Sequence, residues 1–245
     1  MGRLDSDPYF RQVRPLTIAQ CDDRALLPTV SHMKSSTTEA VYRDITDFAH
    51  GAPRWVQHVA EIWTELGLLV FGVLFVVGWW RARGEHAGSL ALSVLAPLAT
   101  AVGYAVSEVL KAIVDEERPC RAVVGAAASL MPCPSTGDWS FPSNHAAIAG
   151  AAAVALACAR PRTAWFTVPM ALLMALSRVF VGVHYPHDVA VGLLVGGSVA
   201  ALVTVLLSRP TRSLARTVRD SRAPVAVWIS GSGAGGPDRG HGTGR

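Results

Sequence analysis

Lysine is almost missing from this 245-residue chain: Lys34 and Lys111 stand against twenty arginines. Charge of both signs is scarce, at 16% of residues, where soluble globular proteins carry about 25%. With 51% of the chain apolar, that deficit excludes an ordinary soluble domain and implies a surface facing lipid. The formal net charge of +4 gathers in short runs at the ends of apolar segments. The exposed basic stripe of a nucleic-acid binder is therefore lacking, and no nucleic-acid partner is expected. The first 34 residues also lack the charged start, apolar core and small-residue cleavage site by which a cleavable leader would be read. Residues 1–34 show no convincing period and read as a poorly structured extension. Met33-Lys34 makes a natural start, so residues 1–32 are expected to stem from an over-long gene assignment.

Cysteine is sparse, with four in all. Cys21 lies in the polar N-terminal stretch, and Cys158, inside an apolar run, reads as a small buried hydrophobe. Cys120 and Cys133 share one polar segment without metal-ligand spacing. They are free thiols or, where that segment is exported, a disulfide contributing about 3 kcal/mol in the chain-entropy model.

What the chain has in quantity is long apolar runs, at residues 59–80, 89–110, 146–159, 164–183 and 189–207. A span needs about 20 apolar residues, with about 17 tolerated. The third run is short and reaches that length only if Ser143 to His145 form its first turn, and Pro169 is expected to kink the fourth. The expectation is an all-α, multi-pass helical bundle of about five spans occupying residues 59–208. Residues 35–58, with Val41, Ile45, Phe48 and Val56 at helical intervals, read as an amphipathic helix lying in the membrane interface. Residues 209–245 form a basic, then Gly/Ser-rich, cytoplasmic tail, disordered from Ser230 onward. Arg81 and Arg83, Arg160 and Arg162, and the arginines from Arg209 to Arg222 fall on one face of a five-span arrangement, which the positive-inside rule makes cytoplasmic. Residues 111–145 and 178–188 then meet on the outer face.

Three clusters at those outer ends carry chemistry. In the first, Lys111 and Arg118 are seven residues apart, which on a helix puts both cations on nearly one face, able to grip one anion. Interfacial anchors neutralised by Glu116 or Glu117 would look the same. In the second, Phe141-Pro142-Ser143-Asn144-His145 opens the third apolar run. A helix starting there offers unpaired N–H groups and a positive dipole end to a phosphate, and Ser143 either caps the helix or bonds a phosphate oxygen. In the third, Arg178 sits in an apolar run, where a charge needs a partner. Pro186 suits the first turn of a helix, so Asp188 is expected to fold back onto the Nδ1–H of His184 and leave Nε2 free to attack. Asp115, Glu116 and Glu117 read as solvated loop charges, His187 as a bystander, and Trp79 and Trp80 as interfacial belt residues.

Taken in order, K-x6-R-P, P-S-x-H and S-R-x5-H-x3-D resemble the three-part signature of the type-2 phosphatidic acid phosphatase superfamily, a helical-bundle family shared with the vanadium haloperoxidases. The match covers roughly residues 89–207. Asn144 stands where many members have glycine. A surface helix followed by five spans, with Asp138-Trp139-Ser140 before F-P-S-x-H, looks most like bacterial undecaprenyl-diphosphate phosphatases of the bacitracin-resistance type. The resemblance implies a nucleophilic His184 that forms a phosphohistidine, an orienting Asp188, and His145 as acid and then base. It implies Lys111, Arg118, Ser143, Asn144 and Arg178 as the phosphate cradle, with no cofactor and no metal, since no carboxylate cluster suited to magnesium is seen. The substrate implied is undecaprenyl diphosphate in carrier-lipid recycling for the cell wall. Phosphatidic acid, phosphatidylglycerol phosphate or a polyprenyl-phosphate sugar phosphate stay open, as does a non-catalytic lipid-binding or transport role. The partners expected are a lipid phosphate and the bilayer of the cell membrane, and whether the chain forms a homo-oligomer is left open.

Overall fold

A computed structural model of the chain describes residues 29–221 and 223–231, with side chains from residue 37 onward. The expected extension over residues 1–32, Cys21 and the Gly/Ser-rich end lie wholly or largely outside the described residues. Two units divide at residue 36. In the first, the described residues are the opening turns of helix α1 (Thr29–Gly51).

The second unit is helical throughout, with no strand among the described residues. It comprises the rest of α1, then α2 (Arg54–Ala82), α3 (Ala87–Lys111), the short α4 (Pro119–Ala122), α5 (Asn144–Ala159), α6 (Ala164–Phe180), α7 (Pro186–Asp220) and α8 (Pro224–Ser230). Four helices are long and apolar enough to cross a membrane: α2, α3, α6 with the 3-10 turn before it, and α7. The fifth apolar helix, α5, has 16 residues, or about 24 Å against a hydrocarbon core of about 30 Å. It packs most closely against α7, α3 and α6, and its Ala146, Ala147, Ala149, Ala151 and Ala152 are fully buried. Neighbouring helices rather than lipid thus surround this short segment. The chain is a multi-pass membrane protein.

Small residues bring α5 and α7 into backbone contact. Gly192 and Gly196, four apart on one face of α7, meet the first turns of α5. A Cβ on Gly196 would lie 1.9 Å from the Ala147 carbonyl oxygen, and one on Gly192 2.5 Å from that of Ser143. This is small-xxx-small packing, which lets membrane helices approach closely. Across the same seam the Ser143 N–H donates to the Asp188 carbonyl at 3.1 Å.

Several local expectations change. The fourth apolar run does not stay helical to Val183: α6 stops at Phe180, and Gly182 turns the chain at φ +83°. Val183 N–H to Arg178 O (3.2 Å) and Gly182 N–H to Val179 O (2.9 Å) close the helix end in a Schellman motif. Pro169 sits inside α6 without dividing it into two helices. The apolar face expected over residues 35–58 is split. Tyr42, Thr46 and Ala49 face inward, whereas Val41 and Phe48 are exposed, and residues 54–58 already belong to α2. Cys158 is exposed on the outside of α5 rather than buried.

The arginine clusters share the end of the bundle opposite to the α5 N-terminus. Arg160 pairs with Glu85, Arg219 donates to the Ala82 carbonyl at 3.1 Å, and Arg83 stacks over Trp79 and Trp80. The α5–α7 seam is testable. Gly196→Ala should cost about 1–3 kcal/mol by overpacking and lower the midpoint of thermal unfolding in detergent. Gly72→Ala, where a Cβ meets nothing within 4 Å, should be neutral or stabilise by up to about 1 kcal/mol.

Candidate active site

At the α5 N-terminal end, a cavity of about 500 Å³ opens between α3, α5, α6 and the two connecting segments. Lys111, Arg118, Asn144, His145, Arg178 and His184 all line it. Ser143 and Asp188 sit fully buried beside its wall.

The two cations of the first cluster reach the cavity differently from expectation. α3 ends at Lys111, and a loop, not a helix, leads to Arg118. The residue before a proline is pushed out of helical geometry, and Arg118, at ψ 142°, precedes Pro119 at the start of α4. What joins Lys111 and Arg118 is Asp138, whose Oδ1 lies 3.2 Å from Lys111 Nζ and 2.9 Å from Arg118 Nη2. Neither Glu116 nor Glu117 neutralises Arg118. Glu117 pairs with Arg121, and Glu116 accepts from His187 at 2.9 Å, so Glu116 is no solvated loop charge. Arg118 also donates to the Val183 carbonyl (3.1 Å) and lies 3.2 Å from His184 Nε2. Burial disfavours the Asp138 carboxylate, yet Arg118 and Lys111 outweigh it and hold Asp138 below the usual carboxylate range.

His184 stands on the linker between the Schellman turn of α6 and the first turn of α7. Its Nδ1 is 3.3 Å from Asp188 Oδ2. The same oxygen accepts the Tyr185 N–H at 2.8 Å and the Ser140 hydroxyl, which fixes the carboxylate at the N-terminus of α7. With Nδ1–H given to Asp188, the lone pair of Nε2 points to the cavity, where Arg118 now caps it. Burial, reinforced by the charges of Arg118 and Arg178, pushes the His184 pKa down to about 4 against the pull of Asp188. The ring is neutral at physiological pH.

Ser143 Oγ and Arg178 Nε are among seven buried side-chain polar atoms with no hydrogen-bond partner among the described residues. Ser143 precedes α5 but makes no capping bond through its side chain. Arg178 donates through Nη1 to Thr64 at 2.9 Å and has no carboxylate partner among the described residues. Such orphans are rare in folded proteins, and a tetrahedral oxyanion supplies the acceptors they lack. Asn144 donates to Glu108 and accepts from the Ser107 hydroxyl at 2.8 Å. Behind His184, donor atoms of Glu116, His187 and Asp188 lie within 4.8 Å of one another. His187 stacks on Tyr185 there, with ring centroids 5.3 Å apart. Cys120 and Cys133 are joined in a disulfide, which ties α4 to the segment that carries Asp138.

Asp138, Ser140, Glu108 and Thr64 line or adjoin this site although the sequence assigned none of them a role there, Asp138 and Ser140 having entered only through the Asp138-Trp139-Ser140 resemblance. Glu108 had a signal of its own, as a carboxylate in the last turn of an apolar span. Ser140 and Thr64 had none.

A helical membrane bundle with a buried His–Asp pair, a second histidine and three cations around one cavity defines a class of oxyanion-handling membrane enzymes. The sequence profile of the PAP2 superfamily matches residues 92–212. The decaprenylphosphoryl-5-phosphoribose phosphatase of Mycobacterium tuberculosis is 34% identical over 140 residues, 56% of this chain and 70% of that protein. An undecaprenyl-diphosphatase of Sulfolobus acidocaldarius is 36% identical over 102 residues, 41% of this chain and 48% of that protein. The crystal structure of a transmembrane PAP2-type phosphatidylglycerolphosphate phosphatase from Bacillus subtilis superposes with a TM-score of 0.55 at 21% identity, covering 72% of this chain and 87% of that one, and shares the fold. The chain belongs to the PAP2 superfamily and is a membrane phosphatase of lipid phosphates or diphosphates.

The burial of neutral His184 has a thermodynamic signature. The unfolded ring takes a proton below its ordinary value of 6.5, while the folded ring stays neutral to about 4. Between those values the unfolded state binds more protons, so stability falls as pH falls, by at most about 1.4 kcal/mol per pH unit. Unfolding in detergent followed from pH 7 to 4 should show a slope of this sign, and His184→Asn should make it shallower by up to this amount.

Proposed function

We propose that the chain removes the terminal phosphate of a polyprenyl-borne phosphate or diphosphate, with His184 as nucleophile, on the outer face of the cytoplasmic membrane. The observation that carries this is the neutral His184, its Nδ1 against Asp188 and its Nε2 turned to a cavity ringed by Lys111, Arg118 and Arg178. Undecaprenyl diphosphate is the substrate suggested by the order of surface helix, spans and F-P-S-x-H motif. The M. tuberculosis relative adds a second polyprenyl-linked phosphate to consider.

In the first step Nε2 attacks phosphorus and the bond from phosphorus to the leaving oxygen breaks. His145, at the N-terminus of α5 and lining the same cavity, gives that oxygen its proton. The imidazolium character that His184 acquires is held by Asp188. In the second step His145 takes a proton from water, the oxygen attacks the phosphohistidine, and His184 leaves with its electron pair. Charge on the equatorial oxygens is met by Lys111, Arg118, Arg178, the Ser143 hydroxyl and the first N–H groups of α5. Charge-assisted hydrogen bonds of this kind contribute about 1.5–3 kcal/mol each. Arg118 must turn from Nε2 and Asp138 to the phosphate for attack to begin.

Purified protein in detergent should release phosphate from polyprenyl phosphates with EDTA present, and acid-labile, base-stable label from 32P-substrate should map to His184. His184→Ala should lose at least about a thousandfold in kcat/KM, as expected when a nucleophile that acts with its partners as a unit is removed. Full activity in that variant would overturn the mechanism, and loss with EDTA would overturn the metal-free chemistry.

The proposed sidedness is supported by the arginines at one end of the bundle and by a disulfide at the other, which suits an oxidising compartment. In intact cells treated with a reductant, a membrane-impermeant thiol reagent should label Cys120 and Cys133. Labelling only after permeabilisation would invert the orientation.

A further inference from the structure

The mechanism leaves one charged group of the cavity unused. Glu108 lies one turn before Lys111 on α3 and lines the cavity together with Tyr104, Asn144 and Ile148. Its placement is built rather than incidental. The Ser107 hydroxyl donates to Asn144 Oδ1 at 2.8 Å, so the amide is turned with Nδ2 toward Glu108, whose Oε1 accepts it. Oε2 has no protein partner among the described residues. A carboxylate within an apolar span is costly, and here one residue pair holds it at the cavity wall.

We infer that Glu108, set by Asn144, selects the leaving group: the site takes a lipid-linked phosphate ester whose leaving group carries hydroxyls, as a sugar does, in preference to a lipid diphosphate. The inference rests on the phosphatase reading of the same site and deepens it, departing from the undecaprenyl diphosphate that the motif order suggests. The phosphate under attack is fixed at His184 Nε2 by Arg118 and Lys111. A lipid that keeps its chain in the bilayer must then run from that point past His145 and Asn144, along the wall formed by Tyr104, Glu108 and Ile148. The group beside Glu108 is therefore the leaving group. In a diphosphate this group is a second phosphate, which brings negative charge and only acceptors to an acceptor-only carboxylate. The remedy would be a further cation on that side, but among the described residues lining the cavity the only Lys and Arg are Lys111, Arg118 and Arg178. Those three are committed to the first phosphate. A polyol brings donors instead, and a hydroxyl donating to a carboxylate makes a charge-assisted bond. Sites built to bond a substrate hydroxyl discriminate strongly against partners that lack it.

The test measures kcat/KM in mixed micelles for two short-chain probes, farnesylphosphoryl-ribose 5-phosphate and farnesyl diphosphate. Wild type should favour the sugar phosphate by about tenfold or more, and Glu108→Gln should reduce that ratio by about tenfold, chiefly by raising the diphosphate value. Glutamine keeps an oxygen for Asn144, so a purely structural role for Glu108 would lower both values and leave the ratio unchanged. A second readout needs no variant: on wild type, free ribose 5-phosphate should inhibit at lower concentration than pyrophosphate. A wild-type ratio at or below one, or a ratio unmoved by Glu108→Gln, overturns the selection by Glu108 while His184-dependent hydrolysis of both probes leaves the phosphatase reading standing. Should Glu108→Gln not fold, inhibition by pyrophosphate at the lower concentration overturns it instead. Hydrolysis of neither probe, nor of any lipid phosphate in a panel, removes the phosphatase reading and the inference with it.

Discussion

The contact between α5 and α7 is the constraint on which the site depends. Gly192 and Gly196 let the α7 backbone lie against the carbonyls of Ser143 and Ala147, and the Ser143 N–H reaches across to the Asp188 carbonyl. One seam therefore fixes two things at once. It sets the N-terminus of α5, with its unpaired N–H groups, beside the N-terminus of α7, with the carboxylate that orients His184. Backbone atoms hold that register, so no side-chain flexibility loosens it. It also allows a helix too short to span comfortably to sit in the middle of the bundle, where α3, α6 and α7 cover it.

Around this seam the electrostatics are arranged so that cations outnumber their partners. Asp138 serves both Lys111 and Arg118, and among the described residues Arg178 bonds the hydroxyl of Thr64 and no carboxylate. Each cation is buried, at 8%, 3% and 6% exposure, a state that costs free energy without an anion. An oxyanion bound between them would relieve that imbalance. The same surplus explains why His184 is neutral, because two nearby guanidinium groups add to burial against its protonation.

Much of this was legible in the sequence, and the reasons are physical. Charged and imidazole side chains at the ends of apolar runs are expensive there, so Lys111, Arg178, His184 and Asp188 stood out against a background nearly free of lysine. The apolar runs themselves gave the helices, because a bilayer admits few alternatives. Their ends were less visible. The run to Val183 stayed apolar through a helix stop at the left-handed Gly182, and α3 ended at Lys111, seven residues short of an Arg118 that Pro119 keeps out of helical backbone. Asp138 was visible only as part of Asp138-Trp139-Ser140, because its role lies in pairing with residues 20 and 27 positions away. Which way Val41, Phe48 and Cys158 face was not readable either, since in a membrane protein lipid accepts the apolar residues that the core leaves over.

α7 is also a ruler. From Asp188 at its first turn to Arg209, where its basic half begins, are 21 residues of unbroken helix, about 32 Å at 1.5 Å per residue. That length equals the hydrocarbon thickness of an ordinary bilayer. A rod of that length with its arginines in one headgroup layer would bring the Asp188 carboxylate to the opposite boundary of the hydrocarbon. A bilayer of another thickness has to be met by tilting the whole rod, which would tip the mouth of the cavity relative to the lipid surface.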